Sequence, residues 1–585
     1  MNRQEMIDKL AEPRTWDICI IGGGATGLGV AVDAASRGFQ TLLLEQSDFA
    51  KGTSSRSTKL VHGGVRYLQQ GNIKLVTEAL HERGILRKNA PHLVKDQSFI
   101  VPNYKWWEGP YYGIGLKVYD WMSGSLGLGP SKLLSKEQTL ALAPTLDAEG
   151  LRGGVLYHDG QFDDARLAIS LARTAAIQGA ALINYCRVFR LDKTDGKLAL
   201  LHAVDELTGK TYEIRSRAFL NCTGVFTDSV LHMDDPNADA IIAPSQGVHI
   251  VLDKSFLPGE AAILVPHTDD GRVLFAVPWH DKIIVGTTDT PITTVSAEPR
   301  ALPEEIDFIL AQIGRYLRQP PQRSDIRSIF AGLRPLVKSS SKKTAELSRD
   351  HLITISDSGL ITITGGKWTT YRRMAEDGVN TAIAKAGLEN RPCRTTTLPI
   401  HGSPAADTMQ SSDLHRPLDA KRPSDDPHSS DAKRPTGTSR SADQAKSTDT
   451  TRTYREAESS GGATRSPGQP AAAFETDFHA PLYYYGVEAA AVRDLSIEDP
   501  ALGELLHERL PYLRAEIVWA ARNEMCMTVE DALSRRTRAL LLDARAALES
   551  APLTAALLAK ELGRDQEWQQ RQIEAFNEVA AGYLP

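Results

Sequence analysis

Three glycines and one acid set out the first chemistry in the chain. From Asp17 a short apolar run, DICII, leads into Gly22-x-Gly24-x-x-Gly27, a stretch of small residues, and a second apolar run, TLLLE, that ends at Glu45. Gly22 suits a tight turn after a strand, Gly24 lets backbone approach a pyrophosphate, and Gly27 lets helix and strand pack closely. The helix N-terminus that follows attracts phosphate. Glu45 falls 18 positions after Gly27, where a carboxylate accepts hydrogen bonds from ribose hydroxyls. The spacing predicts a dinucleotide site and serves NAD and FAD alike. Groups able to act on a substrate lie far downstream. Arg334, in GLRPL, offers a fork of donors to phosphate oxygens. His249, in an apolar run, carries the side chain that titrates near neutral pH. Lys367 follows Gly365-Gly366, and desolvation or a neighbouring cation brings a lysine into the range of a base.

The elements that position these residues are partly readable. The chain has 585 residues, enough for several domains and a sizeable core. A net charge of −6 argues against nucleic acid as a partner. Cys19, Cys186, Cys222, Cys393 and Cys526 are scattered without C-x-x-C spacing, so neither a metal site nor a disulfide framework is suggested, and a reducing, cytoplasmic setting fits. A helix is predicted from a cap at Asp163 or Asp164 through ARLAISLARTAAIQ to a stop at Gly179. Between Ile241 and Leu336 short apolar runs alternate with Gly, Pro and Asp turns, the pattern of a mixed or antiparallel sheet. Residues 402–473 are dominated by Ser, Thr, Asp, Pro, Lys and Arg, contain DAKRP twice, and predict a disordered insertion or linker. From Phe474 onward helical spacing returns. TVEDALSRRTRALLLDARAAL opens with Thr528 and Asp531 as a capping box and predicts one continuing amphipathic helix in a small all-α domain, 474–585. No apolar run is long enough to span a bilayer. Residues 104–121 crowd three tryptophans and four tyrosines around Lys105 and Lys117, which suits either a water–lipid boundary or an aromatic core loop.

The choice between the two dinucleotides rests on later residues. AFLNCTG, with Thr223 and Gly224 closing an apolar run, resembles the second strand motif of two-dinucleotide-fold flavoproteins, and no second GxGxxG appears, which favours FAD. The segment GTSSRSTKLVHGGVRYLQQGNIKLVTEALHERGILRKNAPHLV, from Gly52, then resembles the FAD-dependent glycerol-3-phosphate dehydrogenases. The likeness continues through DDARLAISLA, GVHIVL, IIVGTTDTP, AGLRPLV and GGKWTTYRRMAE, in family order over residues 16–395, and more loosely in EDALSRRTR.

That resemblance implies an α/β fold with a Rossmann-like FAD-binding domain of the glutathione-reductase/D-amino-acid-oxidase type. It assigns this domain residues 16–100, 150–230 and 345–395, and a mixed-sheet substrate domain residues 101–149 and 231–344. It implies oxidation of sn-glycerol 3-phosphate to dihydroxyacetone phosphate by hydride transfer from C2 to flavin N5. Electrons pass to a membrane quinone or, in an oxidase branch, to oxygen, with peripheral attachment to the cytoplasmic membrane and a homo-oligomer allowed. Arg66, Arg334 and Lys367 are implied to line the substrate pocket, with Tyr67 bonding substrate. His249 is the first choice as proton acceptor and Lys367 its competitor. Thr53, Ser54 and Ser55 are implied to hold the pyrophosphate and flavin, with His62 and Gly366 near the ring system. Thr287 and Asp289 are placed beside the pocket with no assigned role. A flavin-binding sensor that lacks turnover is the rival reading from another class.

Overall fold

Strand Thr15–Ile21 is the axis of a first sheet, and its apolar residues from Ile18 to Ile21 are buried, as expected for a parallel strand covered on both faces. It pairs in parallel with Thr41–Leu44 on one side and Thr211–Asn221 on the other. The sheet continues outward to Ala181–Ile183 at one edge and to Ile361–Gly365 and His351–Ile355 at the other. A hairpin, Cys186–Thr194 with Lys197–Asp205, is attached antiparallel to Thr211–Asn221. This computed structural model describes residues 1–64, 72–338, 351–404 and 476–585. Helix Ala25–Ser36 follows the glycine turn and buries ten residues, among them Leu28 and Val30, each worth roughly 1.5–3 kcal/mol on burial. Gly29 lets Tyr371 approach: a Cβ there would stand 2.9 Å from its ring. The helix predicted at Asp163 spans Asp164–Ile177, and the Asp163 side chain accepts from the amides of Ala165 and Arg166.

Among the described residues the second sheet has ten strands. Its spine is Ile242–Asp253, paired antiparallel with Ser328–Val337 along its length and with Lys282–Gly286 from His249 onward. Leu274–Trp279 and Ala262–Val265 extend it to Val94–Asn103 and Gly153–Phe162. Two sequence boundaries therefore move. Residues 94–100 and 153–162, assigned to the FAD-binding domain, lie in the second sheet, because Val94–Asn103 pairs with Gly153–Phe162 in unbroken register from Val94↔Phe162 to Asn103↔Gly153. Leu60–Val61 joins that sheet as well.

The C-terminal region is helical, but its core is continuous with that of the nucleotide-binding sheet: Leu540, Leu541 and Cys526 belong to the same apolar cluster as Ile18 and Leu43. The single amphipathic helix predicted from Thr528 is also broken. The Thr528–Asp531 capping box forms, but one turn later the backbone widens into a π-turn over Ala532–Arg536, and helix resumes only at Ala539–Leu542 and Ala544–Leu562. Three arginines explain the break, since all turn inward. Arg536 forks onto Asp48 at 2.7 and 2.8 Å, Arg535 reaches the same carboxylate at 2.6 Å, and Arg538 donates to the Ser55 carbonyl at 2.6 Å. The predicted insertion falls almost wholly on residues outside the described ones.

Burial works to raise the Asp48 pKa, but Arg536 and Arg535 outweigh it and hold the carboxyl below its usual value of 3.8. Its contribution is thus complete above that value and is lost as pH falls further. Asp48→Asn, measured by urea denaturation at pH 7, is expected to cost about 3–5 kcal/mol, because two buried guanidinium groups lose their counter-charge.

Candidate active site

A single cavity of about 810 Å³ runs between the two sheets, with Glu45, Cys186 and Val188 at one end and His249, Arg334 and Lys367 at the other. At the nucleotide end Gly22 has φ +108°, and a Cβ there would stand 2.7 Å from the Cys222 carbonyl oxygen. Gly27 is more constrained still: its Cβ would fall 1.9 Å from the Gly22 carbonyl oxygen. Helix Ala25–Ser36 begins at Gly24 with no capping side chain of its own, and the first amide, Ala25 N–H, donates to Ser54 Oγ at 2.9 Å. Glu45 accepts from the Gly23 amide at 2.6 Å and the Ser47 amide at 2.8 Å. Burial pushes its carboxyl pKa upward against those two bonds. A cradle that tolerates no Cβ, an uncapped helix start and an anchored acid fit a dinucleotide.

Thr53, Ser54, Thr223 and Gly224 line the same cavity. Thr53 Oγ1 donates to the Leu333 carbonyl, and Trp368 Nε1 donates to the Ser54 carbonyl at 2.9 Å, so the loop after Gly52 is tied to the second sheet and to the turn that follows Ile361–Gly365. Ser55 differs from the expectation. Its side chain is buried away from the cavity, and its carbonyl instead accepts from Lys59 and Arg538. His62 and Gly366 line the cavity. The His62 amide donates to Thr369 Oγ1, and Gly365 and Gly366 adopt φ of +78° and +68°. A left-handed pair of this kind needs glycine.

The substrate end follows from strand alternation. In the antiparallel pair, Ser245 faces Arg334, Gly247 faces Gly332 and His249 faces Phe330, so all six share one face. The two glycines make room: a Cβ on Gly247 would lie 2.4 Å from Arg334 Nη2, and one on Gly332 would meet the Arg56 backbone at 3.0 Å. Arg334 donates to Thr287 Oγ1 at 3.1 Å, to the Thr288 carbonyl at 2.9 Å, and to Asp289 at 3.3 Å. Asp289 also accepts from Ser245 and lies 3.4 Å from Arg272. The fork of Arg334 is therefore fixed before any ligand arrives. His249 is 3% exposed, stacks on Phe330 at 4.8 Å, and has Nε2 2.9 Å from Thr58 Oγ1. Burial first, then Lys59 and Arg334, hold its pKa well below 6.5, so the ring is neutral.

Thr58, Arg56 and Arg272 line the cavity and were not singled out in the sequence. Thr58 lies in the SSRSTK run that carried the resemblance, whereas Arg272 reaches the site through a partner, Asp289, on another strand end. Arg66 and Tyr67 lie outside the described residues.

Residues 17–372 match a family model described as FAD dependent oxidoreductase, and residues 393–569 match the C-terminal domain of alpha-glycerophosphate oxidase. The chain is 40% identical to the mitochondrial glycerol-3-phosphate dehydrogenase of Macaca fascicularis, with 98% of this chain and 74% of that protein aligned. It is 38% identical to the Schizosaccharomyces pombe protein of the same name, over 96% and 87% of the two chains. The crystal structure of glycerol-3-phosphate dehydrogenase from Bacillus halodurans, complexed with FAD, superposes with a TM-score of 0.72 at 27% identity, covering 100% of this chain and 98% of that one. The chain belongs to the FAD-dependent glycerol-3-phosphate dehydrogenase family.

Gly27→Val tests the cradle. The variant is expected to fold, as judged by circular dichroism, yet to purify without a flavin absorbance band, because the side chain forces the helix start off the strand.

Proposed function

We propose that the protein oxidises sn-glycerol 3-phosphate to dihydroxyacetone phosphate and delivers the electrons to a membrane quinone. One observation carries the reading: the cavity that begins in the glycine cradle ends at a fixed guanidinium, a lysine and a neutral imidazole. The chemistry that FAD supplies when bound is acceptance of a hydride from C2. The chain's residues do the rest. Arg334 and Lys367, with Arg272 beside the shared Asp289, receive the phosphate dianion. His249 is held unprotonated by burial first and by Lys59 and Arg334 with it, and a phosphate dianion at Arg334 offsets one of those cations and raises its basicity. Lys367 is the competing base, and His249→Asn against Lys367→Met separates the two.

The quinone and the membrane contact rest on a second surface. Helix Glu108–Ser123 turns Ile114, Val118 and Trp121 outward next to Leu133, with Trp106 just ahead of it. Trp106, Ile114 and Trp121 are 77%, 70% and 83% exposed. Lys117 and Lys132 border this apolar face. Tryptophans and lysines so arranged suit a lipid–water boundary. Among the described residues no helix is long and apolar enough to cross a membrane.

In an anaerobic visible spectrum the flavin bands are expected to bleach on addition of sn-glycerol 3-phosphate and to return rapidly with a quinone analogue. Rapid return in air with peroxide formation would instead make the protein an oxidase, and no bleaching would remove the substrate assignment. Arg334→Ala is expected to lower kcat/KM by roughly 30-fold or more, the scale of losing one partner of a buried charge contact. Replacing Trp106 and Trp121 together by Asp is expected to weaken co-sedimentation with anionic liposomes by roughly tenfold or more, leaving turnover with a soluble acceptor unchanged.

A further inference from the structure

The imidazole of His249 borders the cavity but is almost wholly enclosed. Its Nδ1 is enclosed and, among the described residues, has no hydrogen-bond partner. The other nitrogen, Nε2, faces the Thr58 hydroxyl at 2.9 Å. One ring face is packed on Phe330, and Gly286 sits so close that a Cβ there would lie 2.3 Å from the imidazole carbon Cδ2. Thr58 is half-buried and lines the cavity, in a loop whose next residue, Lys59, is pinned to Asp164 at 2.6 Å and to the Ser55 carbonyl at 2.8 Å. The polar route between His249 and a ligand in the cavity thus runs through one hydroxyl, which can accept one proton while giving up another.

We propose that Thr58 is a proton-relay group, through which the hydroxyl proton of the substrate reaches His249. The inference rests on the reading given under Proposed function. The proton of the C2 hydroxyl passes to Thr58 Oγ1 and the Thr58 proton passes to His249 Nε2, while FAD, when bound, would supply the acceptor for the C2 hydride. The C2–O bond becomes the carbonyl. The substrate loses one hydride and one proton, His249 gains the proton, and Thr58 returns to its starting state. The relay requires a neutral His249 with its hydrogen on Nδ1 and a bare, accepting Nε2. The charged groups around it are Lys59, whose ammonium lies 5.2 Å from the Phe330 ring, and Arg334, each paired with a carboxylate, Asp164 and Asp289. These cations favour release of the proton once the carbonyl has formed.

Two measurements test it. In flavin-loaded protein labelled with 15N-histidine, and with the signal assigned by its loss in His249→Asn, the expected spectrum shows hydrogen on Nδ1 and an unprotonated Nε2. Hydrogen on Nε2 overturns the relay. In anaerobic stopped-flow, Thr58→Val is expected to slow flavin reduction by roughly 100-fold or more, the scale of one acid–base contribution, with substrate dissociation and the unfolding temperature nearly unchanged. Thr58→Ser is expected to restore a rate near that of the unaltered protein. A Thr58→Val variant that reduces as fast as the unaltered protein, with the same pH profile, overturns the proposal. If Thr58→Val loses its flavin, or if sn-glycerol 3-phosphate fails to reduce even the unaltered protein, the histidine spectrum still decides the Thr58–His249 link. The second of those results marks failure of the substrate assignment, not of the link.

Discussion

Asp164 is the constraint on which the site depends. It is fully buried at the start of helix Asp164–Ile177 and gathers five donors: the amide and hydroxyl of Ser57, the Ala165 amide, the ammonium of Lys59 and the guanidinium of Arg538. Ser57 and Lys59 flank Thr58, so one carboxylate fixes the hydroxyl at the cavity wall from behind. Lys59 itself bears the tension of this arrangement. Burial lowers its pKa to about 8 despite the attraction of Asp164, so part of the stabilising charge is spent on keeping the ammonium in place. A buried pair of this sort is weak evidence for stability, since desolvation offsets much of the attraction. Its contribution here is position: the Ser55 carbonyl receives both Lys59 and Arg538, and the backbone between Thr53 and Lys59 has little freedom left.

The two sheets divide the work by geometry. The parallel sheet brings the turn after Ile21, the acid at Glu45 and the Cys222–Gly224 turn to one end of the cavity, as strand ends in such sheets do. The second sheet presents a face, and glycines at Gly247, Gly286 and Gly332 thin that face where arginine, histidine and the Arg56 backbone must fit. The loop from Gly52 to Lys59 belongs to neither sheet and is bonded to the start of helix Ala25–Ser36 through Ala25 and to the second sheet through Leu333. Rigid sheets with a clamped loop between them suit a reaction that needs three groups set around one carbon before it begins.

Local pattern made much of this readable in advance. Gly22, Gly24, Gly27 and Glu45 sit within 30 residues of one another, and each is where the turn geometry needs it. His249 and Arg334 were legible only through motif likeness, because what joins them is strand pairing across 85 positions. The buried arginines were missed for a related reason. ALSRRTRALLL has an apolar period that reads as an exposed-face helix, and nothing local reveals that Asp48, nearly 500 residues earlier, draws the charges inward and breaks the helix. The same long-range bonds blur the C-terminal domain boundary. The domain boundary drawn at 100/101 splits strand Val94–Asn103, whose pairing with Gly153–Phe162 is long-range and leaves no local mark. Ser55 was expected to offer its hydroxyl and backbone donor to the cofactor, and its carbonyl, which the sequence did not single out, accepts from Lys59 and Arg538.

The bonds from Arg535, Arg536 and Arg538 to Asp48 and Ser55 join positions 483 to 488 residues apart. A growing chain emerges from the ribosome N-terminus first, and its early strands can pair long before these arginines exist. During most of synthesis Asp48 and the loop behind the cofactor cradle therefore have no counter-charges. The turn that the first fifty residues announce therefore waits until Arg535, Arg536 and Arg538 have been made before Asp48 and the loop beside it are bonded from behind.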